Sequence, residues 1–262
     1  MTRILPSFLT PETLQDGIHV LSDPQVFSAF ETTYLNVRDK EKRFYADEVI
    51  AQLPYTASQH PYHNEWQLRV PIIESFLNYI KEKHTQGLVL EIGCGNAWLS
   101  AQIAKAGVAQ AIALDVNRTE LMDGVRIFQA IENLHFVYAD IFSSPFPAYT
   151  FDVIVLAGVV QYFPNFHLLI NTLQAFLKPQ GEIHLFDSPF YQQKEQQAAK
   201  KRTREYYTHL GFPEMANRFH HHTIAVLHEF NTELLYNPKQ LKIKLLQKIK
   251  PMNPFPWVCI RL

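Results

Sequence analysis

A chain of 262 residues, 47% hydrophobic and 13% aromatic, is long enough for one α/β domain with added elements and a large core. Its formal net charge of -1 provides no field that would draw nucleic acid or an anionic membrane. Two cysteines, Cys94 and Cys259, do not indicate a disulfide framework, no apolar run reaches the roughly twenty residues of a bilayer span, and Ile4 to Leu9, broken by Pro6, is too short for a secretory leader; a cytoplasmic protein is expected.

Residues 1–86 read as an N-terminal helical cap. Asp23-Pro24 caps a short helix, and a longer helix over Asp39–Leu53 is closed by Pro54. The stretch from Pro54 to His63 is a loop rich in aromatic and histidine side chains. A helix over Glu65–Lys83 carries an apolar stripe of Trp66, Val70, Ile73, Leu77 and Ile80.

Residues 87–262 read as one compact α/β unit. Apolar strands at Leu88, Gln110, His135 and Phe151 alternate with helices over Trp98–Ala106, Arg118–Ala130 and Phe166–Leu177. Lys178-Pro179-Gln180-Gly181 is a turn into a fifth strand, Glu182–Asp187. A polar helix, Gln192–Leu210, is stopped by Gly211-Phe212-Pro213, and a His220-His221-His222 run precedes another helix-like stretch to Phe230. Leu234–Tyr236 forms a sixth strand, Pro238–Lys248 a helix and Trp257–Leu262 a seventh strand. This alternation predicts a doubly wound, mostly parallel, seven-stranded sheet.

The chemistry concentrates in Leu88-Val89-Leu90-Glu91-Ile92-Gly93-Cys94-Gly95-Asn96-Ala97-Trp98. A buried strand enters a glycine-cornered turn and then a helix, which is how open α/β sheets hold a nucleotide-like ligand. A dinucleotide fingerprint needs a small residue where Trp98 stands, and no Gly-Lys-Ser/Thr follows to make a P-loop. A carboxylate at the strand end repels phosphate and suits a cationic ligand. S-adenosylmethionine, whose amino group is cationic, meets that requirement.

Glu91, Gly93 and Gly95 resemble the Glu/Asp-x-Gly-x-Gly-x-Gly loop of class I S-adenosylmethionine-dependent methyltransferases, with Ala97 in place of the last glycine. The resemblance covers roughly residues 70 to 190. It implies a Rossmann-like fold whose final strand is antiparallel, with S-adenosylmethionine as cofactor. Under it, Glu91, Gly93, Cys94 and Gly95 form the cofactor loop, and Asp115 accepts from the ribose hydroxyls with Val116 and Asn117 facing the adenosine. Asp140 accepts from the adenine amine, with Ile141 beside the ring. Ala157 and Gly158 lie at the methionine end, whose carboxylate falls to Arg69. The plainer readings stay open: Asp115 and Asp140 as helix caps, Asp152 as structural, Gly158 as a turn and Arg69 as a surface ion pair.

For the acceptor, the place of an Asn/Asp-Pro-Pro-Tyr motif holds Leu156-Ala157-Gly158-Val159, which argues against a nucleobase amine. A small-molecule acceptor is expected. Tyr162, His63 and His221 are the catalytic candidates, with His60, Tyr62, Trp66, Tyr191, His220 and His222 as further acceptor contacts. No acidic or cysteine partner falls in register with the histidines, so no metal is expected. Lys200, Lys201, Arg202 and Arg204 read as a solvated helix face. Lys239, Lys242, Lys244, Lys248 and Lys250, among Leu241, Leu245, Leu246 and Ile249, read as an amphipathic helix covering the sheet, with a membrane-surface helix as the alternative. The competing functions are a non-catalytic S-adenosylmethionine-binding scaffold and a nicotinamide oxidoreductase, the latter disfavoured by Trp98.

Overall fold

The computed structural model describes residues 6–246, 249 and 251–262. Ile4 and Leu5 of the short apolar stretch, and Lys248 and Lys250 of the lysine-rich segment, lie outside the described residues.

The N-terminal region departs from an all-helical cap. Asp16 and Gly17 both have positive φ (51° and 84°), the two-residue turn that Asp-Gly favours, and they join β1 (Leu14–Gln15) to β2 (Ile18–Val20). The branched Ile18, fully buried, carries β2 onto the sheet. Helix α1 (Ser28–Lys40) follows and ends where Lys42 turns left-handed (φ 55°). The single helix expected over 39–53 is therefore two elements, α1 and the one-turn α2 (Asp47–Ile50). The extended link between them places Arg43 against Glu65 in a two-pronged ion pair (3.0 and 2.6 Å). Helix α3 (His63–Lys83) buries Trp66, Ile73 and Ile80 as its stripe predicts, with Ile72 and Phe76 beside them.

The alternating part follows the expected order: β3 (Leu88–Ile92), α4 (Trp98–Lys105), β4 (Gln110–Asp115), α5 (Arg118–Phe128), β5 (Leu134–Tyr138), β6 (Phe151–Ala157), α6 (Phe166–Phe176) and β7 (Leu177–Phe186). Helix α6 passes directly into β7. The expected turn at Lys178–Gly181 is a bulge, because Leu177 faces Phe151 while Glu182 faces Val153. Asp152, in the gap, ties the bulge to the next strand: its Oδ2 accepts from Leu88 N–H (2.8 Å) and pairs with Lys178 (2.7 Å). Helix α7 (Gln196–Leu210) stops at left-handed Gly211 (φ 90°), and β8 (Asn231–Tyr236), α8 (Leu241–Leu246) and β9 (Trp257–Arg261) complete the chain.

The sheet has nine strands in the order β1-β2-β5-β4-β3-β6-β7-β9-β8, two more than the pattern predicts, both from the N-terminal hairpin. Pairings from β2 through β7 are parallel, whereas β1 runs antiparallel to β2 and β9 antiparallel to both its neighbours. Strand order reverses between β3 and β6, the point at which open sheets bind ligands beyond their carboxyl ends. Buried aliphatic and aromatic side chains fill both faces, and a third, small cluster of Val37, Tyr207 and Met215 joins α1 to α7. Helix α8 does not cover the sheet: Leu241 and Leu245 are exposed, because Phe76 and Trp257 already close that face. Both cysteines are free and buried. Among the described residues no helix is long and apolar enough to cross a membrane.

Candidate active site

The glycine loop is built by hydrogen bonds between adjacent strand ends. Gly93 N–H and Cys94 N–H both donate to Leu114 O (2.8 and 3.1 Å), so the loop folds over the end of β4. Gly93 needs its positive φ of 68°, and a Cβ there would lie 2.3 Å from Val159 Cγ2. Gly95 N–H donates to Asp115 Oδ2 (2.7 Å), and Asn117 N–H donates to Asp115 Oδ1 (2.8 Å). Asp115 thus orders the loop while its remaining lone pairs stay open to the cavity. Ala97 holds the left-handed conformation (φ 59°) just before α4, at a cost of about 1–2 kcal/mol that the family's glycine avoids. Trp98 stands with its ring at 90° and 5.2 Å from Trp66, which ties α4 to α3.

Two adjoining cavities open at this end of the sheet. The larger, about 510 Å³, is lined by Asp115, Val116, Asp140, Ile141 and the Gly158 turn; the smaller, about 190 Å³, by Arg69, Glu91, Cys94, Ala157 and Asp187. Gly93, Gly95, Gly158 and Tyr162 border both. The larger volume falls in the roughly 300–1,000 Å³ of small-molecule sites. Every residue expected from the sequence to face the cofactor lines one of these two cavities. Asp140 also keeps its capping role, accepting from Phe142 N–H (3.0 Å), and Ser22 of the N-terminal segment accepts from Asp140 N–H (3.0 Å). Arg69 combines both readings: it lines the smaller cavity and pairs with Glu65 (2.8 Å) and Asp187 (3.6 Å).

Of the catalytic candidates, only Tyr162 reaches the site. His63 borders neither cavity, because Thr56, whose carbonyl lies 3.0 Å from His63 Nδ1, holds it at the start of α3. His221 lies in a separate cleft with its Nε2 2.9 Å from Thr203 Oγ1, its ring between Tyr191 and Phe219. Tyr162 packs edge-on against Phe30 and Tyr34 of α1 and against Phe219. Burial pushes its phenol well above the ordinary tyrosine range, so it serves as a neutral hydrogen-bonding group rather than a base.

The electrostatics of the site are unusual for three neighbouring acids. Burial raises the Glu91 carboxyl to about 8, Asp115 to about 6 and Glu120 to about 7. Glu91 has the Ser100 hydroxyl as a short donor (2.5 Å). Arg38 approaches Glu120 only to 3.9 Å, and its buried Nε has no hydrogen-bond partner; neither does the buried Oδ1 of Asn96. Both residues line the smaller cavity. Protonatable acids together with an open acceptor and an open donor suit a zwitterionic ligand end, so the residues present fit the amino-acid moiety of S-adenosylmethionine.

Sequence reasoning missed Tyr34, Arg38, Arg43 and Glu120 as wall residues. Tyr34 and Arg38 lie on α1, which the sequence placed further along the chain. Glu31 fixes α1 over the site by accepting from both the N–H and the hydroxyl of Thr119 (2.9 and 2.8 Å), and Tyr206 of α7 donates to Glu41.

A cluster of Glu182, His184 and Cys259 elsewhere in the sheet brings potential metal-ligand atoms within 4.8 Å of one another. Trp257 Nε1–H donates to His184 Nδ1 (3.0 Å), which places the ring proton on Nε2, facing Glu182 Oε2 (3.3 Å). Burial also raises the Cys259 thiol to about 12. The group is a hydrogen-bond network and has no lone pair of His184 left for a metal.

Residues 89–181 match the methyltransferase domain family. The segment that builds the glycine turn and strands β3 to β6 is therefore a methyltransferase domain. No curated protein sequence matches the chain. Among solved structures, the methyltransferase domain and its surroundings are similar to a candidate sarcosine dimethylglycine methyltransferase of Galdieria sulphuraria (12% identity, 85% of this chain and 97% of that one, TM-score 0.57). They are also similar to the geranyl diphosphate C-methyltransferase of Streptomyces coelicolor A3(2) (12% identity, 87% and 96%, TM-score 0.55) and to the YcgJ protein of Bacillus subtilis (14%, 72% and 94%, TM-score 0.52). The shared feature at these identities is the fold.

Proposed function

We propose that this chain transfers the methyl group of S-adenosylmethionine to a small-molecule acceptor by in-line displacement. The observation that carries this reading is the convergence of the strand-end acids Glu91, Asp115 and Asp140 on two adjoining cavities that share the glycine turn and Tyr162. In this reading Asp115 takes the ribose hydroxyls, Asp140 and Ile141 the adenine, and Gly93 to Gly95 let the backbone approach the cofactor closely. Glu91 and Asn96 face the cationic amino group, and Arg69 the carboxylate, at the end where Ala157 and Gly158 leave room.

The bound cofactor supplies an already activated methyl electrophile, so the protein's share of the work is orientation, worth about 7–11 kcal/mol. Tyr162, Tyr34 and Phe30 form an aromatic wall that excludes water and aligns an acceptor entering between α1 and α7. Neither His63 nor His221 stands where it could take a proton from that acceptor, which favours a nucleophile that needs no protein base.

Calorimetric titration with S-adenosylmethionine and S-adenosylhomocysteine, alongside Asp115→Ala, tests the cofactor site. Micromolar binding lost in the variant is expected, and a wild type that binds neither compound overturns the reading. Release of S-adenosylhomocysteine in an acceptor screen separates an enzyme from a non-catalytic binding scaffold.

A further inference from the structure

Beside the cofactor cavity lies a second cleft, about 720 Å³, between α7 and the segment from Ala216 to Thr223. Lys200, Lys201 and Arg204 project from one wall and His220 from the other, and no carboxylate lines it. Among the described residues, Lys201 approaches Glu205 to 3.8 Å, whereas Lys200 and Arg204 have no ion-pair partner. The solvated-face reading of these cations does not account for a concave wall of like charges without counter-acids, since neighbouring like charges repel.

The opposite wall is held rigidly. His220 N–H donates to Gln161 O (2.6 Å), Gln196 Nε2 to His221 O (2.6 Å), and Tyr191 N–H to His222 O (3.0 Å). His222 Nε2 lies 2.9 Å from Phe163 O, and His221 Nε2 is engaged by Thr203. The two inner imidazoles are thus committed, and His220 lines the cleft together with Lys200 and Arg204. Burial, first, and the charges of Arg218 and Lys200 all disfavour its protonation, so His220 stands in the cleft as a neutral ring beside the cations.

The cleft also adjoins the proposed methyl-transfer site. Pro164 borders both cavities, and Phe219, at the cleft wall, packs on Tyr162 with ring centroids 6.2 Å apart. Arg218, next in sequence, lines the cofactor cavity. An anion held by Lys200 and Arg204 would have the rest of its molecule directed along Phe219 toward Tyr162.

We propose that this cleft binds a phosphate or diphosphate group carried by the methyl acceptor, an assignment that rests on the methyl-transfer reading above. Several convergent cations suit a multiply charged tetrahedral anion better than a single carboxylate, with lysine as a point charge and arginine as a two-pronged donor.

The test is calorimetric titration of the full chain with inorganic pyrophosphate, and with malonate as the dicarboxylate control, in the wild type and in Lys200→Glu/Arg204→Glu. Both substitutions are on exposed helix positions, and unchanged affinity for S-adenosylhomocysteine (within threefold) checks that the variant is folded. Pyrophosphate binding that weakens at least tenfold in the variant, with malonate at least tenfold weaker than pyrophosphate in the wild type, supports the assignment. No pyrophosphate binding by the wild type, equal binding by the variant, or equal binding of malonate overturns it. An acceptor without phosphate, found by S-adenosylhomocysteine release and showing the same KM in both proteins, overturns it as well. A wild type that binds pyrophosphate but neither cofactor form breaks the methyl-transfer reading instead, leaving an anion site without that role.

Discussion

The two acid clusters of the sheet are treated in opposite ways by the same fold. At the carboxyl ends of β3 and β4 and the start of α5, Glu91, Asp115 and Glu120 are buried, and burial outweighs their donors and lifts all three into or near the neutral range. Glu182, in β7 just past its bulge, is also buried, which alone would raise it. Donors from His184, His84, Tyr79 and Arg261 override that and hold its carboxyl far below the usual range. Glu182 ties α3, β7 and β9 together. The acids of the cofactor end leave stability unclaimed until a cationic ligand arrives, the usual cost of a prepared binding site.

The sharpest way to break this contrast is Glu182→Ala, which leaves Arg261 and two histidines facing an empty site. A loss of about 3–5 kcal/mol in chemical unfolding is expected, with cofactor affinity per folded molecule unchanged. Asp115→Ala should do the reverse: cofactor affinity falls roughly 100-fold, since two charge-assisted bonds to the ribose and the anchoring of Gly95 are lost together. Arg69→Ala is expected to weaken the cofactor more than about tenfold; unchanged affinity would leave Arg69 as only a partner for Glu65 and Asp187.

Smaller effects sharpen the same distinction. Glu91→Gln should raise the stability of the ligand-free protein at pH 8 by about 1 kcal/mol while weakening the cofactor, because the amide removes a buried ionisation. The pH dependence follows from the two directions of shift. Acids raised in the folded state bind protons there that the unfolded chain releases, so ligand-free stability declines between about pH 5 and 8. Glu182 contributes fully above the ordinary glutamate range and is lost as pH falls below it. Thermal unfolding from pH 4 to 8.5 should therefore show a mildly acidic optimum, with the cofactor's stabilising effect greater at pH 8 than at pH 6. A flat profile above pH 5 would mean that the cofactor-end acids are not held neutral.

The cofactor end was legible because its signals are local. Glu91, Gly93 and Gly95 stand within five residues, and Asp115 and Asp140 each close an apolar strand, so alternation and turn chemistry suffice to locate them. The N-terminal hairpin was legible in principle through Asp16-Gly17, yet strands of two and three residues are too short for periodicity to register. The division of Asp39–Leu53 depended on Arg43 finding Glu65, a pairing across 22 positions. His63 and His221 fall outside the two cavities for the same reason: proximity in sequence to a lid or a cluster does not say which way a ring is turned.

By itself the sequence determined the α/β alternation, the glycine turn and the acids at the strand ends, because each follows from contacts between near neighbours along the chain. Only the tertiary structure decided that α1 closes the cofactor cavity, that Tyr162 alone of the catalytic candidates faces it, and that Lys200, Arg204 and His220 share one cleft. Those arrangements are set by packing between elements far apart in sequence, where the choice of partner rests on the shape and charge of the whole fold.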